Sequence, residues 1–305
     1  MRKVIIDADI GVDDAVAIMY AFSSPNIEVL AITCTWGNTS LENSCRNAAR
    51  VVNLCGKQVP IYCGSDRALH GLAPDLKPDR FRVHGVDGLG NIDWEDTVDT
   101  DVFQHENAVV ALTKMAKQHP GEISLVTLGS LTNVALAINL DPDFAGSIND
   151  VYIMGGNIDG LGEHVLKEFN FSLDPEADDL CLSNMKNIHI LSRDVCDMTE
   201  FTKEWVKEQL KVKTVKANFI KQILLERMTS PGYINIRMCD FALMVAIAHP
   251  EAVTASEKAR AIVELSGKSR SLLKLDWGLE DSNVTMYKSL RYDMLMDAFR
   301  ELIND

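Results

Sequence analysis

The chain has 305 residues, of which 47% are hydrophobic and 24% charged, proportions that are ordinary for a soluble globular protein with a sizeable core. With 44 acidic and 30 basic residues its formal net charge is −14, which argues against nucleic acid and anionic membrane surfaces as partners. The charge is compatible with a neutral or cationic ligand, or with a bound divalent cation.

The N-terminus runs directly into an apolar strand and lacks the apolar region and cleavage site of a signal peptide. No uncharged apolar run approaches the roughly 20 residues that span a bilayer. The seven cysteines are odd in number and form no CxxC pair, so free thiols in a reducing compartment are expected. These features predict a cytoplasmic protein.

Short apolar, mostly β-branched runs alternate with amphipathic stretches along the first two thirds of the chain. The predicted strands are Val4–Ile6, Val29–Thr35, Ile123–Thr127, Val151–Met154 and Ile188–Leu191. The predicted helices are Ala15–Phe22, Leu41–Leu54, Asn107–Gln118, Leu131–Ile138 and Glu176–Ser183. This order predicts the α/β class, with a mostly parallel central sheet flanked by helices and ligands bound at the carboxyl ends of its strands.

Two stretches, 63–104 and 155–171, are irregular and contain several glycines, and loops of this length inside a compact domain are usually functional or disordered. Beyond Asp194 the chain is predicted to be mostly helical. Strand-like pieces occur there near Ala259–Val263, Ser271–Leu275 and Val284–Tyr287. Since no repeat or clean linker interrupts the chain, we expect one domain spanning residues 1–305.

The strongest functional signal is the motif DADIGVDD, which follows the first strand. Asp7 and Asp9 lie two residues apart and therefore on the same side of the chain. Gly11 permits a tight turn, after which Asp13 and Asp14 fall in the first turn of a helix. One of these could simply cap that helix, but four carboxylates within eight residues repel one another unless a cation holds them. Oxygen ligands favour Ca²⁺ or Mg²⁺ over zinc.

A Mg²⁺-dependent phosphatase is one alternative, because haloacid-dehalogenase-type phosphatases also begin with a strand and a DxD motif. Their motif continues with Thr or Val where this chain has Gly11, and they have no use for a second acidic pair. The acidic motifs also contain no Lys or Arg for a phosphate. This alternative is therefore disfavoured.

Further motifs follow in order along the chain. They are WGN at 36–38, HGVDGLG at 84–90, LGSLTN at 128–133, MGG at 154–156, EFN at 168–170, DPEA at 174–177 and an acidic residue, Asp240, at the head of a late helix. Together with the opening motif they resemble the inosine-uridine-preferring nucleoside hydrolase family over roughly residues 4–250. The resemblance implies a nucleoside-hydrolase-like, Rossmann-like core. It also implies hydrolysis of the N-glycosidic bond of ribonucleosides to ribose and free base, as in salvage.

The resemblance also implies a set of site residues. A Ca²⁺ would be held by Asp9, Asp14, the backbone carbonyl of Thr127, and Asp240. Asp9 would also orient a water and act as the catalytic base that directs it to C1′ of the ribose. The ribose hydroxyls would be held by Asp13, Asn38, Met154, Glu168 and Asn170. For Asn38 and Met154, turn chemistry and core packing are the alternative roles.

The chain departs from the family pattern beside the departing base. Some family members place His immediately before the late aspartate and others place Trp, whereas this chain has Cys239 and in this resembles a subgroup of the family with Cys in place of the leaving-group His. A thiol can donate a proton, and His84 is a second candidate because its loop resembles one that borders the site. Activation of the leaving base therefore has two candidate catalytic residues. A calcium- and ribose-binding protein without turnover is the alternative, although a pure binder would not need the Asp9 base.

A second departure is Gly162, which replaces an asparagine that helps bind the ribose 5′-hydroxyl; Asn157 or His164 are possible substitutes. Trp94 and Tyr233 are candidates for stacking on the base, with packing as the simpler role for each. Relatives commonly form dimers or tetramers, so a homodimer or homotetramer is expected. The sequence leaves the preferred nucleoside open.

Overall fold

A central sheet of nine strands organises the protein, and a two-stranded sheet lies outside it. The computed structural model describes residues 1–71, 81–92, 94, 101–158 and 167–305. The strands are β1 (Arg2–Ala8), β2 (Ile27–Cys34), β3 (Ile61–Cys63), β4 (Ile123–Thr127), β5 (Asp150–Met154), β6 (Ile188–Leu191), β7 (Phe201–Thr202), β8 (Asn235–Ile236), β9 (Val253–Val263), β10 (Leu273–Trp277) and β11 (Val284–Leu290).

The sheet order is β3-β2-β1-β4-β5-β6-β11-β9-β10. Neighbours from β3 to β11 are parallel, whereas β9 runs antiparallel to both β11 and β10. From β1 the chain builds outward on one side through β2 and β3, and then crosses to β4 on the other side. A crevice forms at the carboxyl ends of strands where the order reverses in this way. The ends of β1 and β4 therefore mark the expected site.

Helices cover the sheet. They are α1 (Val12–Ser23), α2 (Leu41–Leu54), α3 (Phe81–His84), α4 (Ala108–Gln118), α5 (Thr132–Leu140), α6 (Phe144–Ser147), α7 (Phe169–Leu173), α8 (Pro175–Asn184), α9 (Arg193–Asp197), α10 (Lys203–Gln209), α11 (Val215–Ile223), α12 (Leu225–Thr229), α13 (Cys239–Ala248) and α14 (Tyr292–Asn304). A 3₁₀ helix spans Pro250–Ala252. The predicted α/β class with a mostly parallel, helix-flanked sheet is confirmed.

Helix α13 positions part of the site because it is buried along its whole length. Every residue of Cys239–Ala248 is buried, as expected for a helix that is apolar on all sides. Its Phe241 ring packs edge-on against Tyr20 of α1 and Phe299 of α14. This packing fixes the N-terminal end of α13, where Asp240 lies next to Asp13 and Asp14 in the first turn of α1.

All seven cysteines are free in the structure, consistent with the thiols expected from the sequence. Among the described residues, no helix is long and apolar enough to cross a lipid bilayer. Strands β3, β7 and β8 are too short to have been predicted from apolar runs, and each depends on pairing with a distant strand.

A carboxylate outside the predicted set of site residues lies on α8 and has no hydrogen-bond partner among the described residues. Asp178 is fully buried, and neither of its oxygens accepts a hydrogen bond from the described residues. Burial, with repulsion from Asp174 and Glu168, raises the pKa of this carboxyl well above its usual range. The unfolded chain releases the proton at an ordinary Asp pKa of about 3.9. Because the folded state retains the proton to higher pH, Asp178 costs stability increasingly as the pH rises above that value.

We therefore expect Asp178→Ala to raise the free energy of unfolding, by roughly 1–3 kcal/mol at pH 8 and by less at pH 5. Urea titrations of both proteins at the two pH values measure this difference. The neighbouring, partly exposed Asp179 provides the control, since Asp179→Ala should change stability by less than about 0.5 kcal/mol. A gain that is equal at pH 5 and pH 8 would show that ionisation of Asp178 is not its cause.

Candidate active site

A cavity of about 350 Å³ opens at the carboxyl ends of the central strands. Eight of the eleven residues that the sequence predicts for the site line it: Asp13, Asn38, His84, Met154, Glu168, Asn170, Cys239 and Asp240. The other three, Asp9, Asp14 and Thr127, are fully buried beside it. The prediction that the site lies at the reversal of strand order thus agrees with where these side chains meet.

Three carboxylates converge at one end of the cavity. Asp13, Asp14 and Asp240 each offer an oxygen, and these oxygens all lie within 4.8 Å of one another. One oxygen of Asp14 accepts the backbone N–H of Gly11 at 2.9 Å, whereas its Oδ1 has no hydrogen-bond partner among the described residues. Burial and repulsion from Asp13 raise the pKa of Asp14 to about 7. Burial, followed by repulsion from Asp14, raises the pKa of Asp240 well above its usual range.

These carboxylates fit a hard divalent cation. Their donor atoms are all oxygens, the ligands that Ca²⁺ and Mg²⁺ prefer, and the orphaned Oδ1 of Asp14 is a buried acceptor that lacks a donor. A cation would also remove the mutual repulsion that raises the carboxyl pKa values. The cluster contains two of the predicted ligands, Asp14 and Asp240, together with Asp13, whereas Asp9 lies outside it. The predicted ligand set stays a prediction.

Asp9 is held instead by the loop after β2. Its Oδ2 accepts the backbone N–H of Asn38 at 2.6 Å, and its Oδ1 accepts the side-chain amide of Asn38 at 3.1 Å. The same amide donates to Oδ2 of Asp14 at 3.1 Å, so Asn38 connects the two carboxylates. A Cβ on Gly37 would lie 1.9 Å from Oδ2 of Asp9, so this backbone approach requires glycine. Burial, together with repulsion from Asp14, raises the pKa of Asp9 well above its usual range.

Thr127 ends β4 beside β1 and is fully buried. Its side-chain hydroxyl donates to the carbonyl of Tyr152 at 3.3 Å. The assignment of its own carbonyl as a metal ligand stays a prediction.

His84 reaches the cavity although its loop is distant in sequence. Its Nδ1 accepts the backbone N–H of Val12 at 3.0 Å and lies 3.8 Å from an oxygen of Asp13. In the neutral ring, this acceptor role places the proton on Nε2. A Cβ on Gly11 would lie 2.4 Å from Nδ1. Gly11 is therefore required for the close approach of the imidazole, and its φ of −98° shows that the turn itself does not require glycine.

Glu168 lies in the cavity wall and holds the surrounding backbone in place. Its two oxygens accept the backbone N–H groups of Asn170, Gly156 and Phe171, each at 3.0 Å, and so cap α7. Burial raises its pKa, and these three hydrogen bonds lower it by a smaller amount. The carboxylate therefore ties the loop after β5 to the start of α7.

Asn170 connects two strand ends at the same wall. Its amide donates to the carbonyls of Leu128 at 2.7 Å and Met154 at 3.0 Å, which follow β4 and end β5 respectively. With its donors engaged in this way, the side-chain oxygen of Asn170 is the atom left to meet a ligand. Met154 is 5% exposed and lines the cavity, so packing and ligand contact are compatible at this position.

Cys239, at the first position of α13, lines the cavity but is only 5% exposed. Burial, with a hydrogen bond to the thiol of Cys196, raises the pKa of Cys239 well above its usual range. The thiol is therefore protonated at neutral pH.

Three arginines of the cavity wall were missed by the sequence reasoning: Arg193, Arg227 and Arg237. They come from the segments after β6 and around β8, which the sequence describes only as mostly helical. Arginines in such segments are usually solvated, and no motif distinguishes these three.

The two aromatic residues that the sequence offers for stacking on the base occupy different positions. Trp94 packs on Phe219 with ring centroids 5.6 Å apart, lies under Arg50, and donates to Asp87, so packing is its role. Tyr233 lines the cavity.

The residues proposed to contact the ribose 5′-hydroxyl in place of the family's asparagine are not found in the described cavity wall. Asn157 is absent from the described lining, and positions 162 and 164 lie outside the described residues.

Comparisons with known proteins agree with one another. A sequence model described as inosine-uridine preferring nucleoside hydrolase matches residues 4–297. The chain is 32% identical to a probable uridine nucleosidase 2 of Oryza sativa subsp. japonica, over 92% of this chain and 84% of that one. It is 33% identical to the inosine-uridine preferring nucleoside hydrolase of Leishmania major, over 73% and 70% of the two chains. A solved inosine-guanosine nucleoside hydrolase superposes with a TM-score of 0.91 at 26% identity, covering 100% of this chain and 99% of that one.

Proposed function

The chain belongs to the inosine-uridine preferring nucleoside hydrolase family, and from this membership we propose that it hydrolyses the N-glycosidic bond of ribonucleosides in a Ca²⁺-dependent reaction. The products are ribose and a free base, which suits a role in salvage. The relatives are named for uridine, inosine and guanosine, so uridine and inosine are the first substrates to test.

The observation that carries the proposal is the convergence of Asp13, Asp14 and Asp240 at the end of the cavity. Two of these carboxylates are buried and Asp13 is partly buried, and bringing the three together is unfavourable without a cation. With a divalent cation bound, the same arrangement attracts the adjacent hydroxyls of a ribose.

Asp14 and Asp240, with Asp9 and the carbonyl of Thr127, are the proposed ligands, and Asp13 is close enough to join them. When bound, the cation supplies positive charge that attracts the ribose hydroxyl oxygens and makes a nearby water more acidic. Ca²⁺ is preferred over Mg²⁺ because it accepts an irregular set of oxygen ligands, whereas Mg²⁺ demands near-octahedral geometry.

The protein residues divide the remaining work. Asp9 takes a proton from the attacking water as general base, and its two hydrogen bonds from Asn38 hold the carboxylate in place. Asp13, Asn38, Met154 and the Glu168–Asn170 wall, which line the cavity, hold the ribose so that C1′ faces the water. This positioning favours an oxocarbenium-like transition state. Cys239 and His84 are the proposed contacts beside the departing base.

A reducing-sugar assay with inosine, uridine, adenosine and cytidine tests the proposal. Release of ribose from at least one of them is expected, and the ranking of the four identifies the substrate class. No release from any of them by protein that still binds Ca²⁺ would favour the binding-protein alternative. Phosphate release from a phosphate ester with Mg²⁺ would favour the phosphatase.

A further inference from the structure

Arg227 of α12 is a buried cation at the cavity wall. It is 5% exposed, yet it lines the cavity. Its Nε donates to the carbonyl of Val83 at 2.9 Å, and its Nη1 donates to the carbonyl of Arg237 at 3.2 Å. A guanidinium has five N–H donors in a rigid fork, so these two bonds orient the group and leave further donors.

Among the described residues, the other two cavity arginines have carboxylate partners, whereas Arg227 has none. Arg193 donates to Asp197 at 2.8 Å, and Arg237 forms ion pairs of 2.6 Å with Asp197 and with Glu200. Within the described part of the chain, no carboxylate forms an ion pair with Arg227. A buried charge without a counter-ion is costly, so an electron-rich group in the cavity is its natural partner.

The two carbonyls that hold Arg227 locate it at the base end of the cavity. Val83 precedes His84, and Arg237 lies two residues before Cys239, so the guanidinium is anchored between the two segments placed beside the departing base. The carboxylate cluster and the Glu168 wall, by contrast, are the proposed ribose contacts.

We propose, on the basis of the nucleoside hydrolase function above, that Arg227 is a catalytic residue that stabilises the leaving base as an anion. As the C1′–N bond breaks, both of its electrons move to the base, and the negative charge spreads onto its ring nitrogens and carbonyl oxygens. Arg227 donates hydrogen bonds to this anion while Asp9 keeps the proton taken from water. The base is protonated afterwards, so the reaction balances as nucleoside plus water giving ribose and free base. No residue then needs to donate a proton during bond cleavage.

The test compares two substrates whose leaving groups differ in how much they depend on the enzyme to stabilise the departing anion. Uridine requires stabilisation of its departing base, whereas 4-nitrophenyl β-ribofuranoside does not, because the nitro group already stabilises the anion. In Ca²⁺-loaded enzyme, Arg227→Met should lower kcat/KM for uridine by about 10²- to 10³-fold, and for the nitrophenyl riboside by less than about fivefold. Arg227→Lys should recover part of the uridine activity, since it retains the charge without the fork.

Arg193→Met is the matched comparison, because Arg193 lines the same cavity but is already paired. It should change both substrates by the same factor. Equal losses on both substrates in Arg227→Met, or no loss on uridine, would overturn the role of Arg227 while leaving the hydrolase function intact. A preference of the wild-type enzyme for uridine 5′-monophosphate that only Arg227→Met abolishes would assign Arg227 to a phosphate and overturn the inference. Absence of wild-type activity on both ribosides would overturn the proposed function, and this inference with it.

Discussion

Asp9→Asn should lower kcat on the best nucleoside by about 10²- to 10⁴-fold, the usual contribution of a positioned general base. An amide of the same size keeps an oxygen for one of the two Asn38 hydrogen bonds but cannot accept the proton of the attacking water. The close contact with Gly37 excludes a larger side chain, so the isosteric change is the appropriate one. Initial rates at saturating substrate and saturating Ca²⁺ measure the effect.

The saturating Ca²⁺ separates the two roles proposed for Asp9. If Asp9 acted only as a ligand, Asp9→Asn would weaken the binding of Ca²⁺, and excess Ca²⁺ would restore turnover. If it is the base, turnover remains low when the metal is bound. Asp66→Asn is the control, because Asp66 is exposed and, among the described residues, pairs with its neighbour Arg67. Retention of more than about a tenth of wild-type kcat by Asp9→Asn would exclude it as the base.

The parts of the fold that the sequence predicts are those set by local chemistry. The strands at 123–127 and 188–191 and the helix at 41–54 have the predicted bounds. Each is a run whose side chains alone determine its type, and the helix also begins after Ser40, whose hydroxyl caps it. The conformations of the irregular segments that line the cavity could not be predicted, because they depend on contacts between distant parts of the chain.

The site shows the same division. The opening acidic motif and the motif at 168–170 place carboxylates and amides at strand ends, so the residue types and their location follow from the sequence. The sequence does not predict which carboxylates approach one another, because that depends on how Asn38 turns back onto Asp9. The three arginines of the cavity wall are even harder to predict from the sequence. The bond from Arg227 to Val83 spans 144 residues, and no local pattern predicts it.

Removal of divalent cations should abolish turnover. We expect EDTA-treated protein to lose at least about 100-fold in kcat, and added Ca²⁺ to restore it, because the ribose hydroxyls lose the charge that positions them. Mg²⁺ should restore less, since the irregular carboxylate cluster suits the larger ion better. Ribose release before and after addition of each ion is the measurement. Full activity in EDTA, with calorimetry showing no bound cation, would exclude metal dependence.

Asp240→Asn tests the cation cluster more directly, because its effect on thermal stability should depend on whether Ca²⁺ is bound. Without metal, it removes one of three mutually repelling carboxylates, so the melting temperature should stay the same or rise. With Ca²⁺, the wild type gains about 2.7 kcal/mol when the ion is present at 100 times its Kd, whereas the variant should gain little at the same concentration. Thermal melts of both proteins with EDTA and with Ca²⁺ give the four values. A side chain that merely packs at the start of α13 would, when replaced, lower the melting temperature both with EDTA and with Ca²⁺. A melting temperature that falls below the wild-type value only in the presence of Ca²⁺ is therefore expected of a cation ligand.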